Sequence, residues 1–350
     1  MKVQSDLSIS VVIPVYNAAF FVSKAVISAL EQPEVAEVLL IEDGSTDSSL
    51  EVCTQLVKEY NKVSLYTHPG NTNKGAGLSR NVGIEKATCD FIAFLDADDY
   101  FLPDRFKAER DIFKNDATVD GVYGAMGFHY YSGEGEKKYK EKGYTEVTTI
   151  SEKIPARELC FLLIGIHGRV RGQIHLNTLT VKREVFFGKT SMFNSLKMHE
   201  DTAFLVQLSI NCRLESGLID EPIAMYGVHD HNRIINNHEK SGSHQTYWKS
   251  LYKWALKDRN GQPYKKLFQA FLMKEEIMIS GKFFGLLRLC WFSLNNELFL
   301  SKAIFFRPAC LHVMNRKLVW YCINFKEHIQ QRLYHSDTNS LIIDEFFGNA

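Results

Sequence analysis

From Ile9 to about Phe101 the sequence alternates short apolar runs with helically spaced segments, and no other feature constrains the chain as much. Strands that alternate with helices need crossover connections, which gives an α/β fold with a mostly parallel sheet under helical layers. Ile9–Val15 predicts a first strand, and Asn17 a cap for a helix with Phe21, Val22, Val26 and Leu30 on one side. Val38–Ile41 predicts a second strand, stopped by Glu42-Asp43-Gly44-Ser45-Thr46-Asp47, after which Leu50, Cys53, Val57 and Tyr60 recur at helical spacing. A third strand is expected over Val63–Tyr66, a loop over His68–Lys74, a helix over Gly75–Ala87, and a strand over Phe91–Leu95 that stops at Asp96-Ala97-Asp98-Asp99. Beyond Pro103 the pattern is less regular. It predicts a helix over Arg105–Phe113, a strand near Val122, a mobile loop over Ser132–Gly143, a strand within Ile174–Val185 and an amphipathic helix over Glu200–Leu208.

Composition narrows the function classes. With 350 residues, 45% hydrophobic and 23% charged, the chain has the balance of one large or two moderate globular domains. Its 41 basic side chains cancel 41 acidic ones, which excludes a global field for nucleic acid. Seven scattered cysteines without a Cys-x-x-Cys pair point to a reducing compartment. The polar start Met1–Ser8 is unlike a signal peptide, and no run of about 18 apolar residues offers a membrane span, so a cytoplasmic location is expected.

Ligands of open α/β sheets gather beyond the carboxyl ends of the strands, so polar residues at strand exits carry information. Three exits stand out: Tyr16-Asn17, Glu42-Asp43 and Asp96-Ala97-Asp98. Glu42 to Ser45 reads equally as helix capping. The closely spaced carboxylates at Asp96, Asp98 and Asp99 repel one another unless solvated or relieved by a cation, and hard oxygen ligands favour Mg²⁺ or Mn²⁺. Phosphate loops of other kinds are excluded, because Gly70 to Ala76 lacks the Lys and Ser/Thr of a P-loop and Gly75-Ala76-Gly77 lacks the third glycine of a dinucleotide fingerprint. Arg80, one turn after Gly77, either faces the same crevice or is a solvated helix residue.

Taken in order, Val12 to Asn17, Glu42 to Asp47, Asn73-Lys74-Gly75 through Arg80 to Gly83, and Phe94 to Asp99 resemble the family 2 glycosyltransferases, inverting enzymes of the GT-A fold. The resemblance covers residues 9 to 104, returns at Met198-His199-Glu200-Asp201-Thr202 and fades after about residue 235. It implies a catalytic domain over 1–235, with a nucleotide-binding half over 1–104 and an acceptor-side half over 105–235. The reading of residues 236–350 is a helical region.

The same resemblance implies residue roles. Asp43 would hydrogen-bond the nucleotide base in a pocket lined by Pro14, Val15, Tyr16 and Asn17. Glu42 stands where Asp is commoner, and Gly75 to Arg80 lie nearby. Asp96 and Asp98, around Ala97, would engage ribose and metal, with His229 a candidate contact to the metal or diphosphate, although His229 to Arg233 reads equally as a solvated polar turn. Tyr226-Gly227-Val228 stands where an arginine often precedes that histidine. Asp201 would be the general base for the acceptor hydroxyl, steered by Glu200.

The implied activity is metal-assisted transfer of a hexose or N-acetylhexosamine from a nucleotide sugar, expected to be a UDP-sugar. The acceptor would be a saccharide or polyprenol-linked saccharide, in surface polysaccharide or glycolipid assembly. Two other classes compete. A nucleotide-sugar-binding protein without turnover would have no use for Asp201 in its motif, and a sugar-phosphate nucleotidyltransferase would need a glycine- and basic-rich loop where Pro14 to Asn17 stands.

From Gly261 to Leu333 eleven Lys or Arg face four Glu, interleaved with aromatics as in Lys282 to Arg288 and Ile304 to Arg307. Such a segment either lies peripherally on an anionic membrane surface or packs on the catalytic domain or a second subunit of a homo-oligomer.

Overall fold

The computed structural model describes residues 7–141, 147–167, 169–188, 190, 192–229, 243–272 and 275. The chain divides into two units, Met1–Ile164 with Val170–His238, and Gly165–Arg169 with Glu239–Ala350.

In the first unit, β1 (Ile9–Val15), β2 (Val35–Glu42), β3 (Val63–Thr67) and β4 (Phe91–Phe94) alternate with α1 (Val22–Leu30), α2 (Ser49–Glu59) and α3 (Ala76–Lys86). Then follow β5 (Tyr100–Phe101), α4 (Lys107–Asn115), β6 (Gly121–Tyr123), β7 (Ala125–Tyr130), α5 (Gly133–Glu141), β8 (Val147–Thr148) and α6 (Leu159–Leu163). Last come β9 (Leu179–Lys182), α7 (Glu200–Asn211), β10 (Leu214–Ser216) and β11 (Pro222–Val228). A seven-stranded sheet runs β10-β6-β9-β4-β1-β2-β3. It is parallel except at β9, which is antiparallel to both β4 and β6.

The strand period of two sorts this sheet's side chains into two cores. Val12, Leu39, Ile41, Ile92 and Phe94 pack with Ile84 of α3, Leu159 of α6 and Phe204 and Leu208 of α7 on one face. Val11, Ile13, Val15, Val38 and Leu40 pack with Val22 and Val26 of α1 and Cys53 and Leu56 of α2 on the other. Helices on both faces explain why the strands read as unbroken apolar runs. The parallel order also sends β1, β2 and β4 out at the same edge, so their polar exits become neighbours.

Four expectations differ from the structure. Asn17 does not cap α1: it has φ +50° and α1 begins at Val22 after an uncapped Phe21. The expected loop over Ser132–Gly143 holds α5, a polar helix anchored by one side chain, Tyr139, which is 2% exposed and packs 5.0 Å from the Phe128 ring. Within Ile174–Val185 only Leu179–Lys182 is strand, and Leu176–Thr178 forms a 3₁₀ turn before it. A second sheet, β5-β11-β7-β8, was not expected from the sequence pattern, because two of its strands are only two residues long.

A buried ion pair ties α4 to the sheet. Arg105 and Glu109 are 0% and 1% exposed and pair one helical turn apart. Thr180 of β9 donates its hydroxyl to Glu109 at 3.0 Å, and Arg105 Nε donates to the Asn177 carbonyl at 3.4 Å.

In the second unit, the helix Ser243–Ala255 buries Tyr247, Trp248, Leu251 and Ala255. Trp248 stacks on Phe271 with 4.3 Å between ring centroids. The basic aromatic segments Lys282 to Arg288 and Ile304 to Arg307 lie outside the described residues. Among the described residues no helix is long and apolar enough to cross a membrane.

The Arg105 pair yields a stability prediction. Glu109→Ala leaves a guanidinium uncompensated in the core and is expected to cost about 3–5 kcal/mol, read as a lowered midpoint in urea denaturation. A loss under about 1 kcal/mol would mean that the pair is solvated.

Candidate active site

The exits of β1 and β2 are laced together by short polar side chains. Asn17 accepts the Thr46 N–H at 2.8 Å, Ser45 Oγ accepts the Asn17 N–H at 3.0 Å, and Ser49 Oγ accepts the Ala18 N–H at 2.8 Å. Glu42 turns back to accept the N–H groups of Gly44 and Ser45, which closes the turn after β2, whereas α2 starts only at Ser49, so Glu42 to Ser45 do not cap it. Asp43 is 2% exposed, and its two oxygens accept the N–H groups of Lys74 at 2.6 Å and Gly75 at 2.8 Å. These bonds hold the entry to α3, where Gly75 takes φ +94°, a value that costs little without a Cβ. Pro14 is half-buried and Val15 buried, while Tyr16 is 48% exposed beside them.

At the β4 exit the three aspartates separate into different roles. Asp96 Oδ1 accepts from Arg80 Nη2 at 2.6 Å. Ala97 is buried, and Asp98 lies 3.1 Å from His229 Nε2, just past the end of β11. Asp99 is 1% exposed and accepts from the Asn177 side chain and from the Gly227 N–H at 2.7 Å. Burial, then the charges of Asp98 and Asp96, push its carboxyl well above the usual carboxylate range.

Arg80 joins this exit to α7. It is 4% exposed, so it is no solvated helix residue, and its Nη1 lies 3.8 Å from Glu200 while Nη2 pairs with Asp96. Burial alone would lower its pKa, but Asp96, then Glu200 and Asp201, hold it above the ordinary value. Asp201 sits in the first turn of α7, where Oδ1 accepts the Thr202 N–H at 2.7 Å. Asp96, Arg80, Glu200 and Asp201 therefore form one charged row.

The expected ligand set of Asp96, Asp98 and His229 comes together only in part. Asp98 and His229 meet, whereas Asp96 turns to Arg80, and among the described residues no three His, Cys, Asp or Glu side chains converge on one point. One carboxylate and one imidazole still suit a divalent ion whose remaining ligands come from phosphate oxygens and water. Asp230 to Arg233 lie outside the described residues.

Sequence reasoning missed four contributors. Asn177 accepts the Asp96 N–H at 3.0 Å while donating to Asp99, so one amide orients two members of the acidic exit. Phe21 stacks on the His229 ring at 4.4 Å, and Tyr226 lies in the electrostatic field of Asp98, Asp99 and Asp96. His175 lies within the electrostatic reach of Asp96, Asp201, Arg80 and Asp98, and burial lowers its pKa against the pull of the carboxylates. The buried thiol of Cys53 carries no comparable chemistry, being pushed up to about 12 by burial, then by Glu42 and Asp47.

A mainly parallel sheet with carboxylates at its exits fits the GT-A fold that the sequence resemblance implies, and comparison with known proteins agrees. Residues 10–172 match the family described as Glycosyl transferase family 2. An uncharacterized glycosyltransferase of Haemophilus influenzae is 33% identical over 199 residues, 57% of this chain and 70% of that protein. The chondroitin synthase of Pasteurella multocida is 36% identical over 116 residues, 33% of this chain and 12% of the synthase. Among solved structures, S. aureus TarS superposes with a TM-score of 0.54 at 18% identity, covering 77% of this chain and 43% of TarS. TarS 1–349 in complex with UDP-GlcNAc gives a TM-score of 0.53 at 17% identity, covering 77% and 71%. The chain belongs to glycosyltransferase family 2.

The crossing of β11 over the acidic exit can be tested. A Cβ on Gly227 would lie 2.2 Å from the Asp98 carbonyl oxygen, so backbone must shift. Gly227→Ala is expected to cost about 1–3 kcal/mol in denaturant and to displace the NMR signals of the His229 ring. Unchanged stability with unchanged ring signals would contradict this packing.

Proposed function

We propose that the chain is an inverting, metal-assisted glycosyltransferase that moves a hexose or N-acetylhexosamine from a UDP-sugar to a saccharide or polyprenol-linked saccharide acceptor. The observation that carries this reading is the row Asp96, Arg80, Glu200 and Asp201, which joins the acidic strand exit to the start of α7 through one buried guanidinium. A donor diphosphate beside Asp98 and His229 would then present its sugar toward Asp201. The complex of TarS 1–349 with UDP-GlcNAc, on the same fold, supports UDP as the nucleotide.

In this reading Asp201 removes the acceptor proton. Its Oδ1 is occupied by the Thr202 N–H and hydroxyl, which fixes the carboxylate and leaves Oδ2 to face the acceptor. The acceptor oxygen bonds to the anomeric carbon as the bond to the diphosphate oxygen breaks, and the diphosphate leaves with the electron pair. One displacement on the face opposite the leaving group inverts the anomeric configuration. Asp98 and His229 would hold Mn²⁺ or Mg²⁺, which when bound supplies Lewis-acid stabilisation of the departing diphosphate. Asp43 and the Pro14 to Asn17 turn, placed at the adjoining exits, would receive the base. The setting that fits is the cytoplasmic face of the cell membrane, in surface polysaccharide or glycolipid assembly, with the basic tail on anionic lipid.

Two variants separate the roles. Asp201→Asn is expected to lower kcat by about 10²–10⁴-fold while leaving donor affinity within a few-fold, measured by transfer assay and calorimetry. Full transfer by this variant would remove Asp201 as the base. Asp98→Ala is expected to abolish the Mn²⁺-dependent part of UDP binding, and unchanged calorimetric affinity would refute the metal role.

A further inference from the structure

His175 is a site residue that neither the sequence motifs nor the roles above account for. It precedes the 3₁₀ turn Leu176–Thr178, and its Nδ1 accepts the Asn177 N–H at 3.3 Å. A backbone N–H can only donate, so Nδ1 is the bare nitrogen. In the neutral ring the proton therefore sits on Nε2. The ring lies edge-on to Tyr226, with centroids 6.0 Å apart and an interplanar angle of 69°. The charges that act on it come from both halves of the site: Asp96 and Asp98 at the β4 exit, Arg80 on α3 and Asp201 on α7. Part of its surface remains open. The same residue is thus anchored at one nitrogen by the turn that orients Asp96 and Asp99, and carries an N–H donor at the other.

We propose that His175 is a donor-sugar contact: its Nε2–H donates a hydrogen bond to an oxygen of the transferred sugar, between the diphosphate side at Asp98 and the acceptor side at Asp201. A neutral N–H suits this place, because it orients a hydroxyl or amide oxygen without adding a second cation beside Arg80. The proposal rests on the UDP-sugar reading above.

Two substitutions divide the two nitrogens. His175→Asn keeps an acceptor where Nδ1 meets the Asn177 N–H and removes the outer donor. His175→Gln places an amide donor near the Nε2 position and loses the inner acceptor. Affinities for UDP and for UDP-GlcNAc, UDP-glucose and UDP-galactose are measured by calorimetry with Mn²⁺, beside melting temperatures. The expected result is that His175→Asn melts like the wild type and binds UDP unchanged, yet binds the preferred UDP-sugar about 2- to 10-fold more weakly, with His175→Gln restoring part of the loss. If His175→Asn keeps the wild-type ratio of UDP-sugar to UDP affinity and only His175→Gln loses melting temperature, His175 is a turn cap and the inference is overturned. If the wild type binds neither UDP nor any of the three sugars, the donor reading itself fails, and this inference falls with it.

Discussion

The buried guanidinium of Arg80 is the interaction on which the site depends. A cation that is 4% exposed must be compensated, and the compensation comes from Asp96 at one strand exit and Glu200 at the start of a helix more than a hundred residues later. Removing either carboxylate would leave the buried charge short of partners. Among the described residues, Nε and Nη1 of Arg80 make no hydrogen bond, so the arginine is held by charge more than by directional contacts. The first crossover units of the sheet and α7 are fixed to one another by this demand.

A second layer of polar contacts carries the same order into the core. Asn177 orients Asp96 and Asp99 with its side chain while its carbonyl accepts from Arg105, whose partner is Glu109. Asp99 in turn accepts the Gly227 N–H and so positions β11, from which His229 reaches Asp98. Asp99 thus adds a side-chain tie to the backbone bonds that join the four-stranded sheet to the rest of the unit. Buried polar networks of this kind are costly when partly satisfied and rigid when complete, which is the property that a site needing fixed carboxylates requires.

Much of this was legible in the residues, and the limits have physical causes. β1, β2 and β4 announce themselves because they are largely apolar on both faces and stop at acidic or small polar residues, and the exits at Tyr16, Asp43 and Asp96 do adjoin. Arg80 could not be placed in advance, because α3 buries Gly77, Ser79, Arg80 and Gly83 with Ile84 as its one fully buried large apolar side chain, and such a face has no hydrophobic period. His175 and Asn177 were invisible for a related reason: they stand in a short turn, and Asn177 finds its partners 78 and 81 positions away. The α5 segment reads as loop because its helix rests on a single aromatic, Tyr139. The resemblance at Met198 to Thr202 pointed to α7, but only the fold brings Glu200 to within 3.8 Å of Arg80.

The central claim is that one sugar ring is flanked by the acidic strand exit and by Asp201. A crystal structure of the protein with UDP-GlcNAc and Mn²⁺ tests it most directly. The account predicts the diphosphate at Asp98 and His229, the Arg80 pairs intact, and the anomeric carbon open on the face toward Asp201. A diphosphate bound away from Asp98, or a sugar whose anomeric carbon faces away from Asp201 with the row undisturbed, would contradict it.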